Sequence, residues 1–236
     1  MHGARHEGLE LYLSPEHPCA YLPERLARTA FVEPKRTDAA LYSTLAPYGF
    51  RRSGPLVYRP DCVGCRACIP VRIPVADFVP DRGQRRVWRR NRGLTVRLLP
   101  AEVSAEHFEL YRRYLETRHA NGGMDQSTEA DYRNLISSPW GTSVLAEMRA
   151  GDELVAVAVI DELRQALSAV YSFYAPSFSQ RSLGTYAILW QIAEAQRRRL
   201  EWLYLGYWIA ESPKMAYKDR FRPFERLDPR GWTRVP

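Results

Sequence analysis

SAVYSFYAPSFSQRSLGTYAILWQIAEAQRRR, residues 168–199, is the stretch from which the fold is most readily deduced. An apolar strand comes first, a polar loop follows, and the turn at residues 181–185 opens a helix. Backbone N–H groups at a helix start are unpaired and carry the positive end of the dipole, so they attract a phosphate or a developing oxyanion. Gly184 allows close approach, and Arg181 adds a positive charge. The pattern predicts either an anion-binding loop or an ordinary strand-to-helix turn with a surface arginine.

The composition indicates a globular protein with an anionic partner. Apolar residues make up 45% of the 236 residues and aromatic residues 12%, which excludes a disordered chain. The net charge is +7, and lysine occurs only at Lys35, Lys214 and Lys218, so arginine supplies nearly all of the basic excess. Without a secretory pattern or an apolar run of membrane-spanning length, a cytoplasmic protein with no membrane partner is expected. Its cysteines are then expected to be reduced, metal-bound or catalytic.

Two regions of different character follow one another along the chain. Up to residue 100, frequent prolines restrict the expected elements to short pieces, namely strands at 9–13, 54–58 and 69–75 and a helix at 38–46. Beyond residue 100 the elements are longer: helices from Ser104 and Thr128, strands at 143–148, 154–160 and 166–174, a helix from Leu183, a strand at 202–209 and a short helix from Pro213. We therefore expect an α+β protein, with a cysteine-bearing N-terminal domain at 1–100 and a second domain at 101–236. The order of elements in the second domain is similar to that of the acetyltransferase (GNAT) fold.

Three cysteines follow one another at two-residue spacing, and the chain has one more. They are Cys62, Cys65 and Cys68, with Cys19 as the fourth. Such spacing lets consecutive thiolates point at one ion from a tight loop. A run of three is typical of iron–sulfur sites more than of paired zinc motifs. The sequence predicts an iron–sulfur cluster or zinc on these four residues; the alternative is a turn with free thiols.

The densest positive patch lies at residues 81–92, DRGQRRVWRRNR, which is expected to be a helix or an extended basic arm. Its arginines can neutralise phosphates, and the interleaved Trp88 can stack on an unpaired base. The arm is therefore predicted to contact RNA without reading its sequence; the alternative is a solvated face.

Lys214 and Lys218 stand four residues apart and are expected on one helix face. Their charges would repel, so an anion between them would stabilise the helix. The alternative is two exposed surface lysines. Tyr171, Tyr207 and Trp208 lie on predicted strands. They are either functional-site residues or ordinary members of the hydrophobic core.

In combination, five motifs resemble the bacterial aspartate/glutamate leucyltransferases, relatives of the arginyl-tRNA–protein transferases. The motifs are residues 17–23 (HPCAYLP), the cysteine run continued by 69–72 (IPVR), 182–186 (SLGTY), 204–208 (YLGYW) and 214–218 (KMAYK). The resemblance implies transfer of leucine from leucyl-tRNA to proteins that begin with aspartate or glutamate, which marks them for degradation through the N-degron pathway. It also implies a GNAT-like acyltransferase domain.

This reaction requires a catalytic site, a donor site for the tRNA and an acceptor site, and the sequence offers candidate residues for each. An aminoacyl-tRNA is an activated ester, so alignment and oxyanion stabilisation suffice and no cofactor is required. The candidate catalytic residues are Tyr207 and Lys218. Candidates for donor and tRNA binding are Arg181, Ser182, Gly184, Thr185, Arg85, Arg86, Trp88, Arg89 and Arg90. Candidates for acceptor binding are Arg118, Tyr171, Trp208 and Lys214, with Lys218 and Arg181 as further cations for the acidic residue.

Three alternatives stay open at this point. Arginine could be the donor amino acid in the same reaction. A coenzyme-A-dependent N-acetyltransferase would use the loop at 181–185 without the arginine arm, and a non-catalytic RNA-binding protein would use the arm without the loop. The oligomeric state is open as well.

Overall fold

The computed structural model describes residues 9–118 and 127–236, with the Arg118 side chain left outside that description. The strands are β1 Leu11–Leu13, β2 His17–Pro18, β3 Leu26–Ala27, β4 Thr29–Val32, β5 Arg51–Ser53, β6 Leu56–Pro60, β7 Ile69–Pro74, β8 Thr95–Pro100, β9 Ser143–Ala150, β10 Glu153–Leu163, β11 Ala166–Tyr174, β12 Trp202–Trp208, β13 Phe224–Asp228 and β14 Gly231–Val235. The α-helices are α1 Ala39–Leu45, α2 Arg82–Arg90, α3 Ala105–Arg118, α4 Glu129–Ile136, α5 Leu183–Arg197 and α6 Pro213–Ala216.

An eight-stranded sheet is the framework of this mixed α/β protein. Its strand order is β14-β13-β7-β12-β11-β10-β9-β8, and every neighbouring pair is antiparallel except β11 with β12. The strands β9, β10 and β11 form the predicted meander, and β12 returns beside β11 through α5. Strands β7 and β8 lie within residues 1–100, the predicted N-terminal domain, and yet belong to this sheet. The division at residue 100 therefore crosses a continuous sheet.

Helices cover both faces of the sheet. Side chains of one strand alternate between the faces, so both faces carry apolar residues that need to be buried. On β10, Ala156, Ala158 and Ile160 contact the cluster around α5, while Val157 and Val159 contact the cluster around α3 and α4. These are the two larger apolar clusters among the described residues, and a smaller one lies under the smaller sheet around Tyr42. Among the described residues, no helix is long and apolar enough to span a membrane.

Helix starts follow the capping signals in the sequence. Thr128 and Asp131 form a capping box at the start of α4, as the sequence predicts. Asp81 and Gln84 form another at the start of α2, which makes the arginine arm a helix rather than an extended segment. The β13–β14 hairpin near the carboxyl end is an element that the sequence analysis missed.

A smaller sheet, β1-β4-β6-β5, packs against the large one through a buried ion pair. Arg52 of β5 binds Asp161 of β10, with Nε to Oδ2 at 2.8 Å and Nη2 to Oδ1 at 3.0 Å, and both side chains are fully buried. Arg52 also donates to the carbonyls of Asn134, Leu135 and Ser137 at the end of α4. Ser143 Oγ donates to Asp161 as well, at 2.6 Å. The smaller sheet, the large sheet and the end of α4 therefore meet at this pair.

We expect Asp161→Asn to lower the free energy of unfolding by about 3–5 kcal/mol, because it leaves the Arg52 charge buried without a counter-charge. Urea unfolding followed by circular dichroism measures the change. Asp152→Asn in the exposed β9–β10 turn is the matched control and should be nearly neutral. Equal unfolding midpoints for Asp161→Asn and the parent protein would contradict a stabilising role for the pair.

Candidate active site

The parallel pair of the large sheet, β11 with β12, separates after three residues. Ala166, Leu167 and Ser168 of β11 pair with Trp202, Leu203 and Tyr204 of β12. Beyond them β11 continues to Tyr174 and β12 to Trp208 without further pairing to each other. The register of β12 against β7 also shifts between Tyr204 and Tyr207. We call the unpaired region between residues 169–174 and residues 205–208 the strand wedge.

Lys218 lies at the strand wedge and is buried, with 6% of its surface exposed. Its Nζ donates to the carbonyl of Tyr207 at 2.6 Å. Nζ also lies 3.8 Å from where a Cβ of Gly206 would stand, at a residue with a φ of +73° that favours glycine. Burial lowers the pKa of Lys218 to about 7, and the positive charge of Arg51 adds to this effect. A lysine that exchanges its proton near neutrality therefore sits beside the backbone bend of β12.

The expectation that Lys214 and Lys218 share one helix face is wrong. Helix α6 ends at Ala216, and Lys218 belongs to the following 3-10 turn, Tyr217–Arg220. Lys214 is exposed to solvent while Lys218 points inward. The repulsion that acts on Lys218 comes from Arg51, which the sequence analysis did not single out because it is one arginine among many.

Tyr207 and Trp208 are held by hydrogen bonds to backbone carbonyls. Tyr207 Oη donates to the carbonyl of Gly49 at 2.9 Å, so this hydroxyl connects β12 to the smaller sheet region. Burial raises the pKa of Tyr207 well above its usual range. Trp208 Nε1 donates to the carbonyl of Ala216 at 3.1 Å. The hydroxyl of Tyr207 thus has a structural partner, and a catalytic role for it stays a prediction.

Tyrosines line the β11 side of the strand wedge. The ring of Tyr171 stands perpendicular to Tyr114 of α3 at 6.2 Å, and Tyr114 contacts Tyr174 at 5.0 Å. Burial raises the pKa of Tyr171, and the neighbouring tyrosines Tyr114 and Tyr111 add to the rise. Tyr171 is therefore a neutral aromatic wall residue. Arg118, the remaining candidate for the acceptor site, has its side chain outside the described part of the chain.

The start of α5 lies at the end of the same strand. Ser182 adopts a φ of +54°, and its side chain does not cap the helix. The N–H groups of the first turn are therefore left for another acceptor. An added Cβ at Gly184 would stand 3.1 Å from the Tyr174 ring, so a larger residue here would press on that ring. Arg181 is half-buried with its guanidinium 5.5 Å from the Phe178 ring centre.

Helix α2, the predicted arginine arm, packs beside this loop. Asn91 Nδ2 donates to the carbonyl of Arg181 at 2.9 Å, and Arg90 donates to the carbonyl of Gln180. The ring of Trp88 lies 5.5 Å from that of Tyr186 on α5. The structure therefore brings together the two sets of donor candidates, which stand about ninety positions apart in the sequence. Thr185 follows in the first turn of α5.

Comparison with known proteins identifies the relatives of this chain. Residues 106–228 match the family model described as arginine-tRNA-protein transferase, C terminus, and residues 17–86 match the corresponding N terminus. The chain belongs to this family. A protein of Nitrosococcus oceani named aspartate/glutamate leucyltransferase is 54% identical over 95% of each chain. One of the same name from Thiobacillus denitrificans is 50% identical over 95% of this chain and 94% of its own.

A solved structure of a DUF2156 domain from Agrobacterium fabrum superposes on 73% of this transferase and on 52% of its own chain. The TM-score is 0.49 and the sequence identity 12%, so the superposition does not define a shared fold.

The four cysteines of this family member lie in one half-buried region next to the strand wedge. Burial raises the pKa of Cys68 to about 12, and the charges of Cys62, Cys19 and Cys65 add to the rise, so the four thiols are mutual neighbours. The pKa of Cys65 is lowered by the N–H of Ala67 and by the guanidinium of Arg25, whose Nη1 lies 3.3 Å from Sγ. Backbone and arginine groups thus serve as hydrogen-bond partners of these sulfurs.

The cysteine sulfurs form hydrogen bonds to protein groups in this structure. Within residues 9–118 and 127–236, no three Cys, His, Asp or Glu side chains are placed to hold one ion. Cys62 Sγ instead accepts from the N–H of Arg28 at 3.4 Å. The iron–sulfur cluster or zinc that the spacing predicts stays a prediction, and metal analysis of anaerobically purified protein tests it.

We expect the Lys218 charge to destabilise the folded protein in a pH-dependent way. The pKa of Lys218 is about 7 in the folded chain and near 10.4 in an unfolded one, so the unfolded state binds more protons between these values. Stability of the parent protein relative to Lys218→Met should then rise by about 1 kcal/mol per pH unit from pH 7 to pH 10 and be constant below pH 7. Urea unfolding at several pH values measures this difference.

The exposed Lys214 provides the control for this measurement. Lys214→Met removes the same charge at an exposed position, and its unfolding is measured alongside at the same pH values. Parallel pH profiles for the parent and Lys218→Met would show that Lys218 is not desolvated in solution.

Proposed function

We propose that this chain transfers leucine from leucyl-tRNA to the free amino terminus of proteins that begin with aspartate or glutamate. The observation that carries the proposal is the near-full-length match, at 54% identity, to a protein named aspartate/glutamate leucyltransferase. Transfer to an amino-terminal acidic residue would label the acceptor for degradation. Use of an aminoacyl-tRNA fits a protein of the cytoplasm.

The strand wedge is the place proposed for the chemistry. Diverging parallel strands leave backbone N–H and C=O groups free to bind an extended acyl group, as in the GNAT-like arrangement that we propose for this sheet. The amine of the acceptor attacks the ester carbonyl carbon, a tetrahedral oxyanion forms, and the ester C–O bond then breaks. A proton from the amine passes to the departing ribose oxygen. The amine has a pKa of about 7.7–8.0, so a strong base is not required.

Lys218 can assist this step through its position. Its Nζ stands beside Gly206 at the bend of β12, and a pKa of about 7 lets it hold or release a proton near neutrality. The same group fixes the Tyr207 carbonyl, so it also maintains the bend that opens the strand wedge. We propose Lys218 as the residue of this site that moves a proton.

The donor tRNA is proposed to lie along α2 and the start of α5. Within the described residues, none of the arginines on α2 pairs with a carboxylate, although the chain forms many ion pairs elsewhere. Arg85, Arg86 and Arg89 are exposed. Guanidinium groups without a carboxylate partner are available for phosphates, and the uncapped N–H groups at the start of α5 lie near the carboxyl end of α2.

An acceptor assay with three donors tests the proposed function. Purified protein is incubated with labelled leucyl-tRNA, arginyl-tRNA or acetyl-CoA and with peptides that differ only in a first residue of Asp, Glu or Asn. Transfer of leucine to the Asp and Glu peptides is expected. Transfer of arginine, acetylation, or tRNA binding without transfer would each establish one of the alternatives instead.

We expect replacement of Arg85, Arg86 and Arg89 by Ala to weaken tRNA binding and to flatten its salt dependence. Each lost phosphate contact should reduce the slope of log K against log salt by about 0.7 on a single strand and about 0.9 on a duplex. Binding measured between about 50 and 200 mM salt gives the slope. The matched control replaces Arg112, Arg113 and Arg133, equally exposed arginines that are paired with glutamates. A slope that changes equally in both triple variants would remove α2 from the tRNA site.

We expect Lys214→Met to reduce the preference for Asp over Asn as the first acceptor residue by about tenfold or more, because one charge-assisted hydrogen bond is lost. Lys214 is exposed and follows β12, with no carboxylate partner among the described residues. The ratio of kcat/KM values for the two peptides measures the preference. Lys35→Met, at an exposed lysine of the N-terminal region, is the control. An unchanged ratio in Lys214→Met would assign acceptor charge recognition to another residue.

A further inference from the structure

A pocket of about 450 Å³ lies between α2 and α5, apart from the strand wedge. Its inner surface is mostly apolar and includes Trp88, Ile192 and Ala193. Its rim carries Arg85, Arg89 and Arg92, all exposed. Among the described residues that line it there is no carboxylate. The pocket therefore combines a flat aromatic wall with three positive charges at its mouth.

This combination favours an aromatic group attached to phosphates. A base can stack against Trp88 or pack on the aliphatic wall, while the guanidinium groups bind the phosphates on either side. A purely apolar ligand would leave the three arginines without a role. A free phosphate would leave the apolar interior unfilled. An unpaired nucleotide within a strand satisfies both parts of the pocket.

The helix α2 that lines the pocket also contacts the loop proposed for the donor end. Helix α2 runs back along α5, so that Asn91 near its end contacts Arg181 and Trp88 contacts Tyr186. At 1.5 Å per residue, Ala193 lies about 13 Å along the axis of α5 from Gly184. A short single strand can span this distance from the strand wedge to the pocket.

We propose that this pocket binds one unpaired base of the tRNA 3′ strand, upstream of the terminal adenosine that carries the amino acid. The inference rests on the proposed function, since it names the part of the donor that the α2–α5 surface holds. The base stacks on Trp88, and Arg85 and Arg89 bind its flanking phosphates. This contact fixes the distance between the base and the ester, and so positions the ester at the strand wedge.

A base-by-variant binding experiment tests the proposal. The probes are acceptor-stem minihelices of a leucine tRNA, intact or with a single abasic position in the unpaired 3′ strand. The proteins are the parent chain, Ala193→Phe, which fills the pocket, and Ala40→Phe, which adds the same bulk at a separate cavity of about 710 Å³ beside α1. In the parent and in Ala40→Phe, one abasic position should weaken binding by about five- to a hundredfold. The intact minihelix should already bind weakly to Ala193→Phe, and the same abasic position should not weaken its binding further.

Variants of Trp88 keep the test decisive if Ala193→Phe unfolds. Trp88→Tyr retains a stacking face and should keep most of the sensitivity to the abasic position, whereas Trp88→Leu should lose it. Urea unfolding of each variant is measured alongside. Equal sensitivity in Trp88→Tyr and Trp88→Leu would overturn the stacking role.

Two outcomes separate this proposal from the proposed function. If leucine transfer and the arginine-dependent salt slope are present, but the abasic losses persist undiminished in Ala193→Phe, the base lies elsewhere and the pocket proposal is wrong. If minihelix affinity is unchanged in Ala193→Phe while KM for the acceptor peptide rises, the pocket holds an acceptor side chain, which also overturns it. Absence of leucine transfer from the parent protein would instead refute the proposed function.

Discussion

The buried pair of Arg52 and Asp161 is the interaction on which the arrangement of the site depends. Both charges are removed from water, so each needs the other and its further hydrogen bonds to avoid a large desolvation cost. The pair holds the smaller sheet against β10, and Arg52 also donates hydrogen bonds to the carbonyls at the end of α4. Because its geometry is bidentate and fully satisfied, it fixes the orientation of the N-terminal region as well as its attachment.

That orientation determines the environment of the strand wedge. Gly49 and Arg51 precede Arg52 in the chain: Gly49 accepts the hydrogen bond from Tyr207, and Arg51 lies under the Tyr204 ring at 4.7 Å. The charge of Arg51, together with burial, makes the protonated form of Lys218 less favourable. The N-terminal region thus supplies the electrostatic setting of a site built on C-terminal strands.

Particular residues show how far the sequence predicts the site. The turn that opens α5, the helical potential of the arginine arm and the capping box at Thr128 follow from local signals, because dipoles, caps and periodicity act over a few residues. The roles of Gly184 and Lys218 do not follow from such local signals. Gly184 lies close to the Tyr174 ring, a contact across the strand end, and Lys218 is buried beside Gly206 of β12. Both effects arise from residues that are distant along the chain.

The sequence by itself determined the mixed α/β class, most of the strands and helices of the large sheet, and the resemblance to the transferase family, since these depend on periodicity and on motifs of a few residues. Only the tertiary structure decided which charges are buried and which surfaces meet. It placed α2 against the start of α5, turned Lys218 inward while leaving Lys214 in solvent, and separated β11 from β12. The physical reason is that pKa shifts, packing and strand divergence are set by long-range contacts, and a local pattern of residue types contains no information about the partners that will surround it.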